Sequence, residues 1–270
     1  MKASKGTALV TGASSGIGAV YADRLAKRGY DLILVARDAK RLASLADRIK
    51  TETGRGAEVI PADLTSKADL AAVEKRLQSD TSITLLVNNA GIAEKGPLAG
   101  ANLEMLDKLI QLNVTAATHL AAAAASNFAK KKNGTIVNIA SVLALAPERF
   151  NAIYCASKAY VLSLSQTLNA ELGQSGVRIQ AVLPGATKTE IWERAGIEQS
   201  SLDPSILMDV NDMVDAALVG LDLGEQVTIP SLPDVAEWEK LNAARLALGP
   251  NLSRNQPAQR YKRANAKAVA

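Results

Sequence analysis

A tyrosine and a lysine four positions apart, Tyr154 and Lys158, form the clearest acid–base pattern in the sequence. On a helix, side chains at positions i and i+4 project from one face and reach a common ligand. A phenol has an ordinary pKa of about 10, so matching it to neutral pH requires a shift of about three units, or about 4 kcal/mol. A lysine ammonium about 4–5 Å away supplies about 3–4 kcal/mol at an effective dielectric of about 20. The pair therefore predicts a tyrosine that exchanges protons with a substrate, its phenolate stabilised by the lysine.

Ser141 adds a hydrogen-bonding hydroxyl to this chemistry. It closes a predicted strand, where the hydroxyl can bond a substrate oxygen and stabilise the charge that develops there. Taken alone, each of these residues also has an ordinary structural interpretation, because a serine at a strand end often caps and a Tyr–Lys pair often lies on a surface. His119 and Cys155 are predicted to be packing residues.

A glycine-rich segment, TGASSGIG at Thr11–Gly18, joins a predicted strand to a predicted helix. Its glycines let the backbone turn tightly and approach a ligand, and the free N–H groups of the helix N-terminus favour phosphate. No lysine follows as in the nucleoside-triphosphate loop. Gly12–Gly16 also fits the GxSxG nucleophile elbow of α/β-hydrolases, but His119, the single histidine, is not on the late loop that this mechanism needs. A tight turn without a ligand is the remaining alternative.

The fold that positions these residues is indicated by the apolar pattern of the chain. Short apolar runs alternate with helical patterns from end to end. The alternation predicts an α/β fold, a doubly wound parallel sheet of about seven strands with helices on both faces. Ligands bind such sheets at the carboxyl ends of the strands, so the chemistry is expected just after the apolar runs. The predicted strands are Thr7–Thr11, Asp31–Ala36, Ala57–Ala62, Thr84–Asn88, Gly134–Ser141, Arg178–Leu183 and Gln226–Ile229.

Four motifs in order resemble the short-chain dehydrogenase/reductase family: TGASSGIG, NNAG at 88–91, Ser141 with YCASK at 154–158, and PGATKT at 184–189. The resemblance covers residues 7–195. It implies a single Rossmann-type domain, a nicotinamide cofactor, and interconversion of a carbonyl and an alcohol by hydride transfer. It also implies that Tyr154 is the general acid or base, that Lys158 holds the nicotinamide ribose, and that Asn113 holds a relay water beside Lys158.

The end of the second strand bears on which nicotinamide cofactor binds. Ala36 stands where relatives that use NAD carry an acidic residue, and Arg37 resembles the family's clamp for the 2′-phosphate. A guanidinium there forms a charge-assisted contact with phosphate, and Arg41, one turn further, is expected to assist. Asp38 is predicted to cap the following helix. We therefore expect NADP(H) rather than NAD(H), the alternative being that Arg37 is a solvated loop charge.

The resemblance and the glycine turn together predict a set of cofactor-binding residues, and no metal ligands. The set is Gly12, Ser14, Ser15, Gly16, Ile17, Gly18, Arg37, Arg41, Asp63, Leu64, Asn89, Ala90, Gly91, Tyr154, Lys158, Pro184, Gly185, Thr187 and Thr189. A partly apolar substrate pocket is expected from a second group. Its members are Leu143, Leu145, Phe150, Ile153, Ile191, Trp192 and Met208.

Composition limits the remaining classes of function. The 270 residues include 31 basic and 27 acidic ones, but five of the basic residues lie in 250–270, which has no acid, so residues 1–249 carry a net charge of −1. We predict a Rossmann-fold domain over 1–249, with a substrate flap at about 186–210, and a basic, loose tail over 250–270. A nucleic-acid partner is not expected. One cysteine and one histidine argue against a disulfide framework and a metal cluster, and favour a cytoplasmic protein.

Two weakly charged helical stretches, 102–131 and 153–173, match those through which the family builds dimers and tetramers. A helix that is apolar over much of its girth needs cover on several sides, so a homodimer or homotetramer is expected. The uncharged runs 6–22 and 109–129 carry too many polar residues for an export signal or a membrane span. The alternative function is a nucleotide-binding regulatory or scaffold protein without turnover.

Overall fold

Seven parallel strands form one sheet in the order β3-β2-β1-β4-β5-β6-β7 in the computed structural model of the chain, which describes residues 4–262. The predicted fold class is confirmed. The apolar runs are buried in the middle of the sheet, where both faces are covered. The strands are β1 Thr7–Thr11, β2 Asp31–Ala36, β3 Ala57–Pro61, β4 Ile83–Asn88, β5 Gly134–Ile139, β6 Val177–Val182 and β7 Val227–Thr228. Their ends lie within two residues of the predicted ones.

Helices pack against both faces of the sheet. Side chains of α1, α2 and α8 bury one face, and those of α3, α5 and α6 bury the other. The first eight helices are α1 Gly16–Lys27, α2 Ala39–Thr53, α3 Lys67–Ser79, α4 Leu103–Ile110, α5 Ala117–Lys131, α6 Ala152–Leu172, α7 Ile191–Arg194 and α8 Val210–Leu223. The sheet thus has the doubly wound form whose ligand crevice lies at the carboxyl ends of the strands.

Side-chain caps fix where two of these helices begin. The carboxylate of Asp38 accepts a hydrogen bond from the backbone N–H of Arg41 at 3.0 Å and starts α2, as predicted. The side chain of Asn151 accepts from the backbone N–H groups of Ile153 and Tyr154 and starts α6. Tyr154 is therefore held in the first turn of its helix, next to the carboxyl edge of the sheet.

The uncharged stretch after α4 is not one continuous α-helix. Gln111–Ala116 forms a turn of π-helix between α4 and α5, and it contains Asn113. Such turns insert one residue into a helix and often mark functional positions. The sequence analysis expected an unbroken helix here, since composition does not reveal a change of hydrogen-bond register.

The chain divides into two compact units, Met1–Pro230 and Ser231–Ala270. In the second unit Asp234 caps α9, Val235–Ala247, and two short helical segments follow, α10 at Gly249–Leu252 and a 3-10 turn at Gln259–Tyr261. The region predicted as a loose tail thus contains helical turns, while the predicted domain end at residue 249 stays a prediction. Arg263 and Lys267, two charges of that tail, lie outside the described residues.

The predicted flap at about 186–210 is an extended excursion with short helical turns. Its two ends pair with each other through the backbone bonds Lys188 N to Met208 O and Met208 N to Ala186 O, both 2.9 Å long.

Over residues 4–262, no helix is long and apolar enough to cross a bilayer. Within the same residues, no group of three or more His, Cys, Asp or Glu side chains is placed to hold a metal ion.

Candidate active site

Tyr154, Lys158 and Ser141 come together at the carboxyl end of β5, as predicted. All three are nearly buried, at 9%, 6% and 6% exposure. The ammonium of Lys158 donates to the carbonyl oxygen of Ile139 at 2.9 Å and lies 5.6 Å from the centre of the Tyr154 ring. Ser141 follows the strand, and its side chain forms a hydrogen bond with the Tyr154 phenol. The three side chains thus present a hydroxyl, a phenol and an ammonium to one place.

The acid–base balance of this trio differs from the expected one. Burial raises the pKa of Tyr154 to about 12, and a side-chain hydrogen bond with Ser141 only partly opposes it. Burial also lowers the pKa of Lys158 from 10.5 to about 8. The expected lowering of the phenol pKa by the lysine is therefore wrong for the protein alone, because desolvation of the phenolate dominates the shift. At neutral pH Tyr154 carries its proton and is ready to donate it.

Asn113 links the loop after β4 to helix α6. Its Oδ1 accepts from the backbone N–H of Ile92 at 2.9 Å, and its Nδ2 donates to Ile92 O at 2.8 Å and to Ser157 Oγ at 3.2 Å. Gly91 lies between Asn113 and Lys158. A Cβ on Gly91 would lie 3.2 Å from Asn113 Oδ1 and 3.6 Å from Lys158 Nζ. The amide is thus occupied by protein partners, and its role in a water relay stays a prediction.

A pair of buried amides that the sequence analysis did not single out supports the same region. Asn88 Nδ2 donates to Ala117 O at 2.8 Å and to Asn138 Oδ1 at 3.2 Å, and Asn138 Nδ2 donates to Ser165 Oγ at 3.0 Å. These contacts join β4, β5, α5 and α6 below the trio. The only sequence signal for these hydrogen bonds is the presence of an asparagine near the end of each of two apolar strands.

The glycine-rich turn is built for close approach of backbone and ligand. Gly12 has φ of +65°, and a Cβ on Gly18 would lie 2.4 Å from the carbonyl oxygen of Gly12. Thr11 Oγ1 accepts from the backbone N–H groups of Asn89 at 2.9 Å and Ala90 at 3.0 Å, which ties the ends of β1 and β4 together. Ser15 precedes α1 without capping it by its side chain, so the helix N-terminus is available to an anion.

A cleft of about 470 Å³ opens at this turn. Twelve of the predicted cofactor residues line it: Gly12, Ser14, Ser15, Gly16, Ile17, Arg37, Asp63, Leu64, Asn89, Ala90, Gly91 and Thr189. The other seven, all described by the structure, lie outside the lining: Gly18, Arg41, Tyr154, Lys158, Pro184, Gly185 and Thr187. The cleft therefore extends from the glycine turn towards Arg37 and leaves the acid–base trio beyond its end.

Further lining residues were missed by the sequence analysis. Met105, Lys108 and Leu112 lie three and four residues apart, so helical spacing was the signal that would have grouped them. Glu190, Ile191 and Arg194 enter from the flap, and Arg41 contacts Glu190 instead of lining the cleft. The rest of the unpredicted lining is Val35, Ala36, Asp38, Ala62, Thr65, Ile92 and Ala93.

Charges of both signs surround the end of the cleft at Arg37, which is exposed. Burial raises the pKa of the Asp63 carboxyl, but hydrogen bonds from Thr65 and the positive charges of Arg37 and Lys108 outweigh it and hold that pKa below its ordinary value. Asp63 therefore stays ionised between the two cations. Arg37 and Lys108 are the positive charges at this end of the cleft and Asp38 and Asp63 the negative ones, and the role of Arg37 as a phosphate ligand stays a prediction.

Comparison with known proteins decides the family. The family model described as short chain dehydrogenase matches residues 6–200. The chain belongs to the short-chain dehydrogenase family. An (S)-acetoin-forming diacetyl reductase of Staphylococcus epidermidis is 31% identical over 220 residues, which cover 81% of this chain and 84% of the relative.

Solved structures agree with this assignment. A short-chain dehydrogenase from Sphingobium yanoikuyae, in complex with NADPH, is 53% identical with a TM-score of 0.91 and covers 95% of this chain and 100% of its own. A bulky-bulky ketone specific alcohol dehydrogenase from Comamonas testosteroni is 49% identical with a TM-score of 0.88, covering 95% and 98%. The predicted family is confirmed, and with it an oxidoreductase that interconverts carbonyl and alcohol groups.

An apolar cluster surrounds Tyr154 in this short-chain dehydrogenase. Phe150 contacts Tyr154 edge to face at 5.5 Å between ring centres and Trp192 at 6.4 Å, and the Trp192 indole N–H donates to Thr187 O at 2.8 Å. Of the group expected to line the pocket, five residues lie in or against this cluster: Leu143, Phe150, Ile153, Ile191 and Trp192. Met208 packs instead with the core cluster of α1, α2 and α8.

Proposed function

We propose that this short-chain dehydrogenase reduces apolar ketones with NADPH and oxidises the corresponding alcohols with NADP⁺. The observation that carries the proposal is that the Tyr154 phenol, the Ser141 hydroxyl and the Lys158 ammonium meet at the carboxyl edge of the sheet. The phenol supplies the proton that the carbonyl oxygen takes up as the carbonyl carbon is reduced, and the neighbouring ammonium stabilises the phenolate.

The cleft fits the proposed cofactor. Its glycine turn and free helix N-terminus suit a pyrophosphate, and exposed Arg37 at the other end suits a 2′-phosphate. The related Sphingobium enzyme is in complex with NADPH. When bound, this cofactor supplies the hydride and takes it back in the oxidative direction.

The chain's own residues handle the oxygen and its proton. Tyr154 donates its phenolic proton to the substrate oxygen, and the Ser141 hydroxyl hydrogen-bonds the same atom as negative charge grows there. The Lys158 ammonium, with its pKa near 8, stabilises the phenolate that remains. The oxidative direction requires the phenolate as the base, and because Tyr154 holds its proton at neutral pH in the protein alone, we expect oxidation to become faster as the pH rises.

The apolar wall supports the choice of substrate class. Phe150 and Trp192 stand edge to face next to the phenol, so a substituent of the ketone meets aromatic surface there. The Comamonas relative is described as specific for bulky-bulky ketones. We therefore place ketones with two apolar substituents ahead of sugars and charged keto acids.

Steady-state oxidation of NADPH with a panel of ketones, aldehydes, sugars and keto acids tests the proposal. We expect the highest kcat/KM with apolar ketones, and a much lower value when NADH replaces NADPH. Tight NADPH binding without turnover on any member of the panel would instead support a regulatory or scaffold protein.

We also propose a cytoplasmic homo-oligomer built on the outward face of α6. Most exposed positions of this face before Glu171 are small and uncharged, and the larger Tyr160 on the same face forms a 2.8 Å hydrogen bond with Thr118 of α5. The small residues are Ala152, Ala156, Ser163, Thr167 and Ala170. Light scattering after size exclusion measures the order of assembly, and Ala156→Arg is expected to shift it to the monomer.

A further inference from the structure

Two arginines and one glutamate cross the mouth of the cofactor cleft. The Glu190 carboxylate accepts from Arg41 Nη1 at 2.8 and 2.9 Å through its two oxygens, and Arg194 Nη2 bonds the same carboxylate. Arg194 Nη2 also lies 3.4 Å from Ser15 Oγ in the glycine turn. A line of polar contacts thus runs from α2 over the cleft to the turn that precedes α1.

The two carboxylates near this line both face Arg41. Arg41 pairs with Glu190 and, at 3.5 Å, with Asp38, whereas Arg194 pairs with Glu190 and reaches Ser15. Hydrogen bonds from Arg41 and the charge of Arg194 hold the pKa of Glu190 below its ordinary value. The Arg194 guanidinium lies at the N-terminus of α1, whose first turn carries no acidic side chain, and both favour an anion at Ser15.

We propose that Arg194 is a ligand of the cofactor's pyrophosphate. In the protein alone, the Glu190 carboxylate pairs with Arg194 and Arg41 and so competes with the phosphates of the cofactor for these guanidiniums. The inference deepens the proposed function and depends on it. Arg37 lies at the end of the cleft suited to the 2′-phosphate, which only NADP(H) carries. Arg194 lies at the glycine turn, and the pyrophosphate expected there is common to NADPH and NADH.

The position of Arg194 also connects the cofactor to the substrate side. Arg194 and Ile191 share the single turn of α7, whose backbone is closed by bonds such as Ala195 N to Ile191 O at 3.0 Å. Ile191 packs against the apolar cluster that contains Tyr154. A pyrophosphate held by Arg194 therefore fixes the turn that carries part of the substrate wall.

Equilibrium titrations of the full chain with NADPH and with NADH, followed by calorimetry, test the ligand assignment. Arg194→Gln is expected to raise Kd by about fivefold to tenfold for both dinucleotides, because both lose one charge-assisted contact. Arg37→Gln is expected to raise Kd for NADPH by about tenfold or more and to leave NADH unchanged. Arg178→Gln, at an exposed arginine near the opposite end of β6, removes the same charge and is expected to change neither Kd.

The three variants separate this inference from the proposed function. If Arg194→Gln leaves both Kd values within about twofold while Arg37→Gln weakens NADPH, the inference is overturned and the proposed cofactor stands. Weakening of NADPH alone by Arg194→Gln assigns Arg194 to the 2′-phosphate and also overturns it. If the wild type binds neither dinucleotide, both proposals fail. Circular dichroism and thermal melting establish that each variant is folded.

Glu190→Gln tests the competition separately. Removing the carboxylate charge while keeping its shape frees two guanidiniums, so we expect Kd to fall by about twofold to fourfold, more for NADPH than for NADH. The effect should shrink at high salt, where exposed charges are screened. A rise in Kd for both dinucleotides would show that Glu190 holds Arg194 in place, and would overturn its assignment as a competitor.

Discussion

Replacing Lys158 by methionine should make this enzyme more stable and inactive. The ammonium is 6% exposed, and burial lowers its pKa from 10.5 to about 8. At about 1.4 kcal/mol per unit, keeping it charged costs the folded state about 3 kcal/mol at neutral pH. The variant removes this cost but leaves Ile139 O without its donor, which offsets about 1–2 kcal/mol. We expect a net gain of about 1–2 kcal/mol in the free energy of unfolding at pH 7.

The pH dependence has a definite sign. Below pH 8 both the folded and the unfolded wild type hold the proton, and the full cost of burial is present. Between pH 8 and 10.5 the folded protein releases it while the unfolded chain still binds it, so wild-type stability rises with pH relative to the variant. The advantage of Lys158→Met should therefore vanish and reverse by about pH 10.5.

Urea unfolding of both proteins without cofactor, at several pH values from 7 to 10.5, measures this difference. The control is Lys50→Met, which removes the same charge at an exposed position in the last turn of α2. If Lys158→Met is no more stable than the wild type at pH 7, and the difference between them does not change with pH, the ammonium is not desolvated as the structure indicates.

Three further changes test the site and its support. Tyr154→Phe should lower kcat by about 10²–10⁴-fold with unchanged NADPH affinity in calorimetry, because only proton transfer is lost; retained turnover would exclude the phenol as the acid. Phe150→Ala should raise KM for apolar ketones several-fold without changing KM for NADPH. Equal effects on both KM values would contradict the placement of Phe150 against the substrate. Asp23→Ala should cost about 2–3 kcal/mol in urea unfolding, because the buried carboxylate holds Arg24, Lys27 and Arg48 together; an unchanged midpoint would refute this.

The fold and the family were accessible from the sequence for local reasons. The strands are short apolar runs of β-branched and leucine residues, which periodicity reveals directly. The glycine turn and the Tyr154 to Lys158 spacing are likewise contained in a few consecutive residues. Such signals need no knowledge of distant contacts, and both the predicted sheet and the predicted family were confirmed.

The features that were missed depend on contacts far apart in sequence. The pairing of Arg41 with Glu190 joins residues 149 positions apart, and no local pattern indicates it. The π turn contains Asn113, whose amide bonds Ile92, 21 residues earlier in the chain, and no local pattern indicates this contact. The direction of the Tyr154 pKa was wrong because the sequence supplied the neighbouring charge but not the extent of burial.

Helix α7 is a single turn that contacts two parts of the site. Ile191 packs against the apolar cluster around Tyr154, Trp192 contacts Phe150, and Arg194 reaches the glycine turn. If Arg194 holds the pyrophosphate as proposed, changes in this turn that admit a different ketone will also change the residence time of the dinucleotide. Substrate scope and cofactor affinity would then be coupled, and libraries at these positions should be screened at limiting cofactor concentration.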